Sequence, residues 1–198
     1  MVKVNKFFSI ISFKTFGWFA EIIHSSLKFL LILRGLSVGE NTLISNLYIN
    51  WPNQVKIGKN SKFEKNVTVK YAKPYNKGKS ITIGDNVFVG NGCEFNITKS
   101  IIIENNVLIS SGCRFIDHDH GFQQINQNIC TQPQVEKPIK ISEGAWIGAN
   151  CVILKGVVVG NGAIVGAGGI VTKNIPKNEI WAGVPASKIG TRNEQQAE

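Results

Sequence analysis

Two of the three histidines in this chain fall in one short stretch, Phe115-Ile116-Asp117-His118-Asp119-His120-Gly121-Phe122. Imidazole changes charge near neutral pH, and a neighbouring carboxylate can set its tautomer and orientation. With Asp117 and Asp119 flanking the histidines, the stretch has the composition of a general base and its orienting acid. Metal binding is the other chemistry such residues suggest. A zinc site in this setting would need a third, well-separated ligand, and the remaining histidine, His24, lies far off in an apolar N-terminal segment. No metal is therefore expected.

The elements that position the His pair follow from a repeat. Ile141, Ile147, Ile153, Val159, Val165 and Val171 fall at every sixth residue, and a second small or apolar residue follows each by four. A helix has no period of six. The pattern describes a coil of short strands joined by tight turns, with Gly or Asn where φ must be positive. Three strands close one coil, so residues eighteen apart stack at about 4.8 Å. The same phase runs upstream through Ile57-Phe63-Val69, Ile83-Val89-Phe95 and Ile103-Ile109-Phe115, with Val38 and Ile44 opening the first coil. Three stacked columns result: Ile57/Ile83/Ile103/Ile141/Val159, Phe63/Val89/Ile109/Ile147/Val165 and Val69/Phe95/Phe115/Ile153/Val171.

Departures from eighteen locate the insertions. Ile57 to Ile83 is 26 residues and Ile103 to Ile141 is 38, a surplus of eight and of twenty. Both belong after the third strand, beyond Val69 and Phe115, so two loops, near 70–80 and 116–137, should leave the same corner. Long loops on a rigid scaffold usually carry function, and the longer one contains the His pair. The shorter carries Lys70, Lys73, Lys77 and Lys79 with Tyr71 and Tyr75, groups that could attract an anion or stack on a sugar. Cys93, Cys113 and Cys151 occupy equivalent places in three coils, beside Val67 and Gly169. With no other ligand type in that column, they read as buried small side chains.

Beyond these patterns, the chain resembles the hexapeptide-repeat acyltransferases, in particular galactoside, maltose and surface-polysaccharide O-acetyltransferases. The resemblance rests on Asp117-His118-Asp119-His120-Gly121-Phe122, Pro138-Ile139-Lys140-Ile141, Ala145-Trp146-Ile147-Gly148-Ala149-Asn150, Val165-Gly166-Ala167-Gly168-Gly169-Ile170-Val171-Thr172-Lys173 and Ala182-Gly183-Val184-Pro185-Ala186. It implies an all-β fold, a left-handed parallel β-helix with a short N-terminal helical extension, assembled as a homotrimer. It also implies acetyl transfer from acetyl-CoA to a sugar or glycan hydroxyl in surface-polysaccharide synthesis. His118 is then the catalytic base, with Asp117, His120 and Trp146 in support and a backbone N–H near Ala149 facing the oxyanion. Ala149, Ala167, Gly168, Thr172, Lys173 and Lys188 are the implied acetyl-CoA contacts. N-acetylation of an amino-sugar nucleotide is the alternative chemistry, and a non-catalytic trimeric scaffold the alternative class.

Composition sets the remaining expectations. The formal charge is +9, but the basic residues are scattered, which favours an anionic cosubstrate or membrane surface over nucleic acid. The domain expected over 37–190 is preceded by an extension, 1–36, and followed by a polar tail, 191–198. In the extension, Lys14 breaks the first apolar run and no small-residue cleavage site follows. Glu21, His24 and Lys28 break the next, leaving nothing near the roughly 20 apolar residues a membrane span requires. A cytoplasmic location with thiol cysteines is expected. Phe16, Phe19, Ile23, Leu27 and Leu30 follow helical spacing, with Lys14, Glu21 and Lys28 on another face. Such a helix can cap the open end of the solenoid or hold the protein at a membrane surface through residues 7–35.

Overall fold

Inward-pointing β-branched and aromatic residues at every sixth position leave the chain one economical way to bury them, which is to stack each coil on the last. A computed structural model describes residues 26–192, and in it six coils form three parallel sheets. The first sheet runs through Ser37–Val38, Val55–Ile57, Ile81–Ile83, Ile101–Ile103, Ile139–Ile141 and Val158–Val159. The second begins Leu43–Ile44, Lys62–Phe63, Phe88–Val89, Leu108–Ile109, Trp146–Ile147 and Ile164–Val165. The third comprises Leu47–Ile49, Val67–Tyr71, Glu94–Ile97, Arg114–Ile116, Val152–Leu154 and Ile170–Val171.

The register matches the sequence columns residue for residue. Ile57, Ile83, Ile103, Ile141 and Val159 pair in succession. So do Phe63, Val89, Ile109, Ile147 and Val165, and Val69, Phe95, Phe115, Ile153 and Val171. All fifteen are buried, and the Phe95 and Phe115 rings stack at 4.8 Å and 3°. Burying a side chain of this size stabilises by roughly 1.5–3 kcal/mol, so a one-residue slip in any coil would expose its share of the core. Asn supplies the left-handed turns at Asn41, Asn60, Asn86 and Asn106. Gly takes over at Gly144 and Gly162.

Cys93, Cys113 and Cys151 form the expected internal ladder, all buried. Their thiols donate to Ser110 O, Gly148 O and Gly166 O. Bonding within the ladder and burial hold the Cys151 thiol well above the usual range. Cys130 alone is exposed.

Both ends are closed. At the C-terminal end an antiparallel hairpin, Glu179–Gly183 with Ala186–Thr191, continues the second sheet. At the other, residues 26–33 are helical. The helix stops in a Schellman turn, with Leu36 N–H on Leu31 O, Gly35 N–H on Ile32 O and Gly35 at φ +95°. Leu31 and Leu36 are buried and Leu27 packs against the same core. This alters the expected helix face, because Leu30 is exposed and Leu31, four residues after Leu27, takes its place. Lys28 donates to Thr42 O. Phe16, Phe19 and Ile23 lie outside the described residues, as do most of the 1–36 segment and the end of the tail.

Candidate active site

The two insertions leave one corner, where the third sheet gives way to the first. The shorter follows Val67–Tyr71 and the longer follows Arg114–Ile116, two coils later. Between them the third coil turns this corner in the short stretch Thr98-Lys99-Ser100.

The first residue beyond the longer insertion's parent strand anchors the site. Asp117 is fully buried, and its carboxylate accepts three backbone N–H bonds from that short turn: Thr98 at 2.7 Å, Lys99 at 2.7 Å and Ser100 at 2.9 Å. The following side chain, His118, sets Nδ1 3.2 Å from Asp117 Oδ1 and 3.1 Å from Thr98 Oγ1. An ionised carboxylate can only accept, so the Asp117 contact assigns the proton to Nδ1. In the neutral ring Nε2 then carries the lone pair, and it makes no hydrogen bond among the described residues.

The backbone here is held from several directions. His118–Asp119 pairs antiparallel with Val135–Glu136, setting His118 opposite Glu136, while Lys137 N–H donates to Asp117 O at 2.9 Å. Asp119 is ion-paired with Lys155 of the next coil. Lys73, from the shorter insertion, reaches Glu136 at 2.6 Å, so the two loops are tied together across the intervening coil. Further out, buried Gln132 donates to Gln124 O and Gln127 O and accepts from Gln124 N, each at 3.0 Å. A groove lined by Gly121, Phe122, Gln124, Pro133 and Val135 lies along this part of the loop. A side chain at Gly121 would strike Pro133 O at 2.5 Å. His120 is exposed and has no hydrogen bond among the described residues.

Most of the residues expected to meet acetyl-CoA lie elsewhere on the solenoid. Ala149 and Ala167-Gly168 occupy successive turns between the second and third sheets, with Gly168 N–H on Ala149 O at 2.8 Å. Small side chains leave the backbone open on this edge, and a Cβ added at Gly168 would meet nothing within 4 Å. A slender chain could therefore lie against the main chain here. Thr172 and Lys173 are exposed just after Ile170–Val171, at the same corner as the insertions. Lys188 is already ion-paired with Glu179 at 2.6 Å, which weakens its candidacy as a phosphate contact. Trp146 projects from the second sheet, 45% exposed, and donates Nε1–H to Ser110 Oγ. One chain thus gathers Asp117, His118 and the insertions at one corner, with Ala149, Ala167 and Gly168 at another.

Sequence reasoning missed Thr98 and Glu136. The first was within reach: the register that stacks Phe95 on Phe115 also brings Thr98 beside His118. Glu136 could not be found this way, because the returning strand lies outside the repeat. Two expectations for the shorter loop are overturned. Tyr71 is buried, with its hydroxyl accepting from Asn76 Nδ2 and Ser80 Oγ, so it cannot stack on a ligand. Lys79 donates to Gly35 O and Asn53 O, and burial lowers its pKa. Lys73 is taken by Glu136, leaving Lys77 and Tyr75 exposed. Among the described residues no cluster of three or more His, Cys, Asp or Glu could hold a metal.

Fold and site together define a three-faced parallel β-solenoid of six-residue repeats with a histidine-bearing insertion. Residues 138–173 match the family model for the bacterial transferase hexapeptide (six repeats), and residues 80–113 match the hexapeptide repeat of succinyl-transferase. Two stretches of the chain are thus similar to hexapeptide-repeat transferases. Galactoside O-acetyltransferase of Escherichia coli K12 is 41% identical over 58 residues, 29% of each chain. A 2,3,4,5-tetrahydropyridine-2,6-dicarboxylate N-acetyltransferase of Halalkalibacterium halodurans is 50% identical over 58 residues, 29% of this chain and 24% of that one. The matched stretch thus spans less than a third of these curated relatives. Among solved structures, a variant of AntD, an N-acyltransferase from Bacillus cereus in complex with dTDP and coenzyme A, aligns with TM-score 0.73 and 24% identity, covering 86% of this chain and 90% of that one. A maltose O-acetyltransferase from Clostridium difficile 630 aligns with TM-score 0.61 and 24% identity over 84% and 75% of the two chains.

Proposed function

We propose that the protein is an acetyl-CoA-dependent O-acetyltransferase that acetylates a sugar hydroxyl in surface-polysaccharide synthesis, with His118 as general base. The observation that carries this reading is the His118 ring, whose Nδ1 is fixed by Asp117 and Thr98 while Nε2 is left with its lone pair. Acetyl-CoA supplies the activated thioester. His118 Nε2 accepts the proton of the attacking hydroxyl, and Asp117 balances the imidazolium that forms. His118 then returns the proton to the departing sulfur, so no acyl-enzyme is needed. General-base catalysis of this kind contributes roughly 10²–10⁴ in rate, and holding both substrates in place supplies much of the remainder.

The open small-residue edge at Ala149, Ala167 and Gly168 suits a pantetheine arm, with Thr172 and Lys173 as further contacts. Because that edge and His118 occupy different corners of one chain, a complete site calls for a second copy presenting its edge to the His118 hairpin. A homotrimer meets this need, and the outward Leu43, Leu108 and Trp146 side chains of the second sheet would be covered in it. The helix at residues 26–33 leaves Phe29, Leu30, Ile32 and Leu33 exposed on the side away from the core. That apolar side, with Lys3, Lys6 and Lys14 earlier in the chain, supports peripheral attachment to the cytoplasmic face of a membrane. Among the described residues no helix is long and apolar enough to cross one.

N-acetylation of an amino sugar is a second reading, favoured by the 58-residue match to an N-acetyltransferase. Purified protein supplied with acetyl-CoA and a panel of sugar and amino-sugar acceptors, assayed for free thiol and acetylated product, separates the two. Product on hydroxyls supports the first reading and product on amines the second. Coenzyme release from no acceptor, despite acetyl-CoA binding, would defeat both.

A further inference from the structure

The insertion corner carries an aromatic feature that acyl transfer to a single sugar does not use. Trp51 stands at this corner in the first coil, just before the turn Pro52–Gln54. Tyr75 lies at the tip of the shorter insertion, one coil on. Their ring centroids are 6.4 Å apart at 47°, and the two residues are 38% and 93% exposed.

This pair is held on a rigid base. Buried Gln54 donates to Pro74 O at 3.1 Å and Asn76 O at 2.7 Å, and Asn53 Nδ2 donates to Pro74 O. The Tyr71 hydroxyl and Ser80 complete the network behind the loop. A buried polar network of this kind fixes conformation, and here it holds the backbone on both sides of Tyr75, whose residue is 93% exposed. An aromatic presented to water forgoes the area term that burial supplies. A ligand that covers the ring would restore it.

Position indicates which ligand. Tyr75 belongs to the second coil's insertion, Trp51 to the first coil, and His118 to the fourth, all at one corner. At about 4.8 Å per coil, the aromatic pair sits two to three rungs, or roughly 10–14 Å, from the His118 level. One sugar ring cannot occupy both places, but a short run of linked sugars can. Resting on the proposed acetyl transfer at His118, we infer that Trp51 and Tyr75 form an extension subsite that stacks sugar rings of a chain whose acetylated residue lies at His118. The acceptor class is then an oligosaccharide or polysaccharide rather than a free monosaccharide.

Affinity gel electrophoresis through a set of soluble polysaccharides, comprising a neutral glucan, a polymer of N-acetylated amino sugar and a polyuronate, tests the inference directly. The wild-type chain should be retarded by at least one of them, with the corresponding monosaccharide unable to compete at equal sugar concentration. Trp51→Ala combined with Tyr75→Ala should weaken the apparent Kd roughly tenfold or more with unchanged circular dichroism and melting temperature. His118→Ala should still be retarded. Retardation by none of the polymers, or retardation undiminished in the double variant, overturns the subsite. A changed molar mass of the double variant by light scattering also overturns it, since the rings would then belong to an interface between copies. If the double variant loses retardation while His118→Ala keeps full acetyl transfer, the subsite stands and the assignment of the base fails.

Discussion

Glu136 stands opposite His118 in the two-residue ladder at the root of the longer insertion, and its carboxylate is held 2.6 Å from Lys73 of the shorter one. The strand that positions the candidate base is therefore tethered to a different coil. As an ion pair between partly exposed side chains, it should contribute at most about 1 kcal/mol to stability. Its consequence should appear in turnover. Lys73→Glu and Glu136→Lys are each expected to lower kcat several-fold with little change in melting temperature, and the double exchange should recover most of the loss. Additive losses in the double variant would show that the tether does not position His118.

His118→Ala should reduce kcat by roughly 10²–10⁴ while leaving the fold and acetyl-CoA binding intact, because general-base catalysis is worth about that much. His120→Ala should do less, since that side chain is exposed and unattached. Steady-state kinetics with a thermal-shift titration of acetyl-CoA reads both. A larger loss for His120→Ala would move the base to that residue.

Asp117 serves the fold as well as the ring. Asp117→Ala would strip three backbone N–H groups of their acceptor, at a cost of about 1–3 kcal/mol for each that stays unsatisfied. A lower melting temperature and lost turnover are both expected. Asp117→Asn keeps one acceptor oxygen but puts an amide among donors, so it should be intermediate in stability and still poor in turnover. Unchanged melting in Asp117→Ala would contradict the anchoring role.

The thiols should separate by burial. Cys130 should react promptly with iodoacetamide at mildly alkaline pH. Cys93, Cys113 and Cys151 should remain unmodified until the chain unfolds, since all three are buried and the reagent must reach the sulfur. Mass spectrometry of the alkylated protein checks this, and early modification of Cys151 would be incompatible with the ladder.

If the helix at residues 26–33 meets a membrane surface, Phe29→Glu with Leu33→Glu should abolish flotation with vesicles containing phosphatidylglycerol. Their position on the exposed side of the helix predicts an unchanged melting temperature. Flotation equal to wild type would remove the membrane reading.

The six-residue period by itself determined the solenoid. Each residue from Ile57 to Val171 in the three columns stacks as counted, and the surplus over eighteen placed both insertions at one corner. A repeat can be read this way because each coil contacts only its neighbours, so local spacing and long-range register carry the same information. The His118 cluster was likewise visible, since reactive residues were concentrated in one stretch. What only the tertiary structure decided lies where the chain leaves the period. The three N–H groups around Asp117, the Glu136 strand returning beside His118 and the commitment of Lys73, Lys79 and Tyr71 to structural contacts depend on the paths of inserted loops, for which no spacing rule exists.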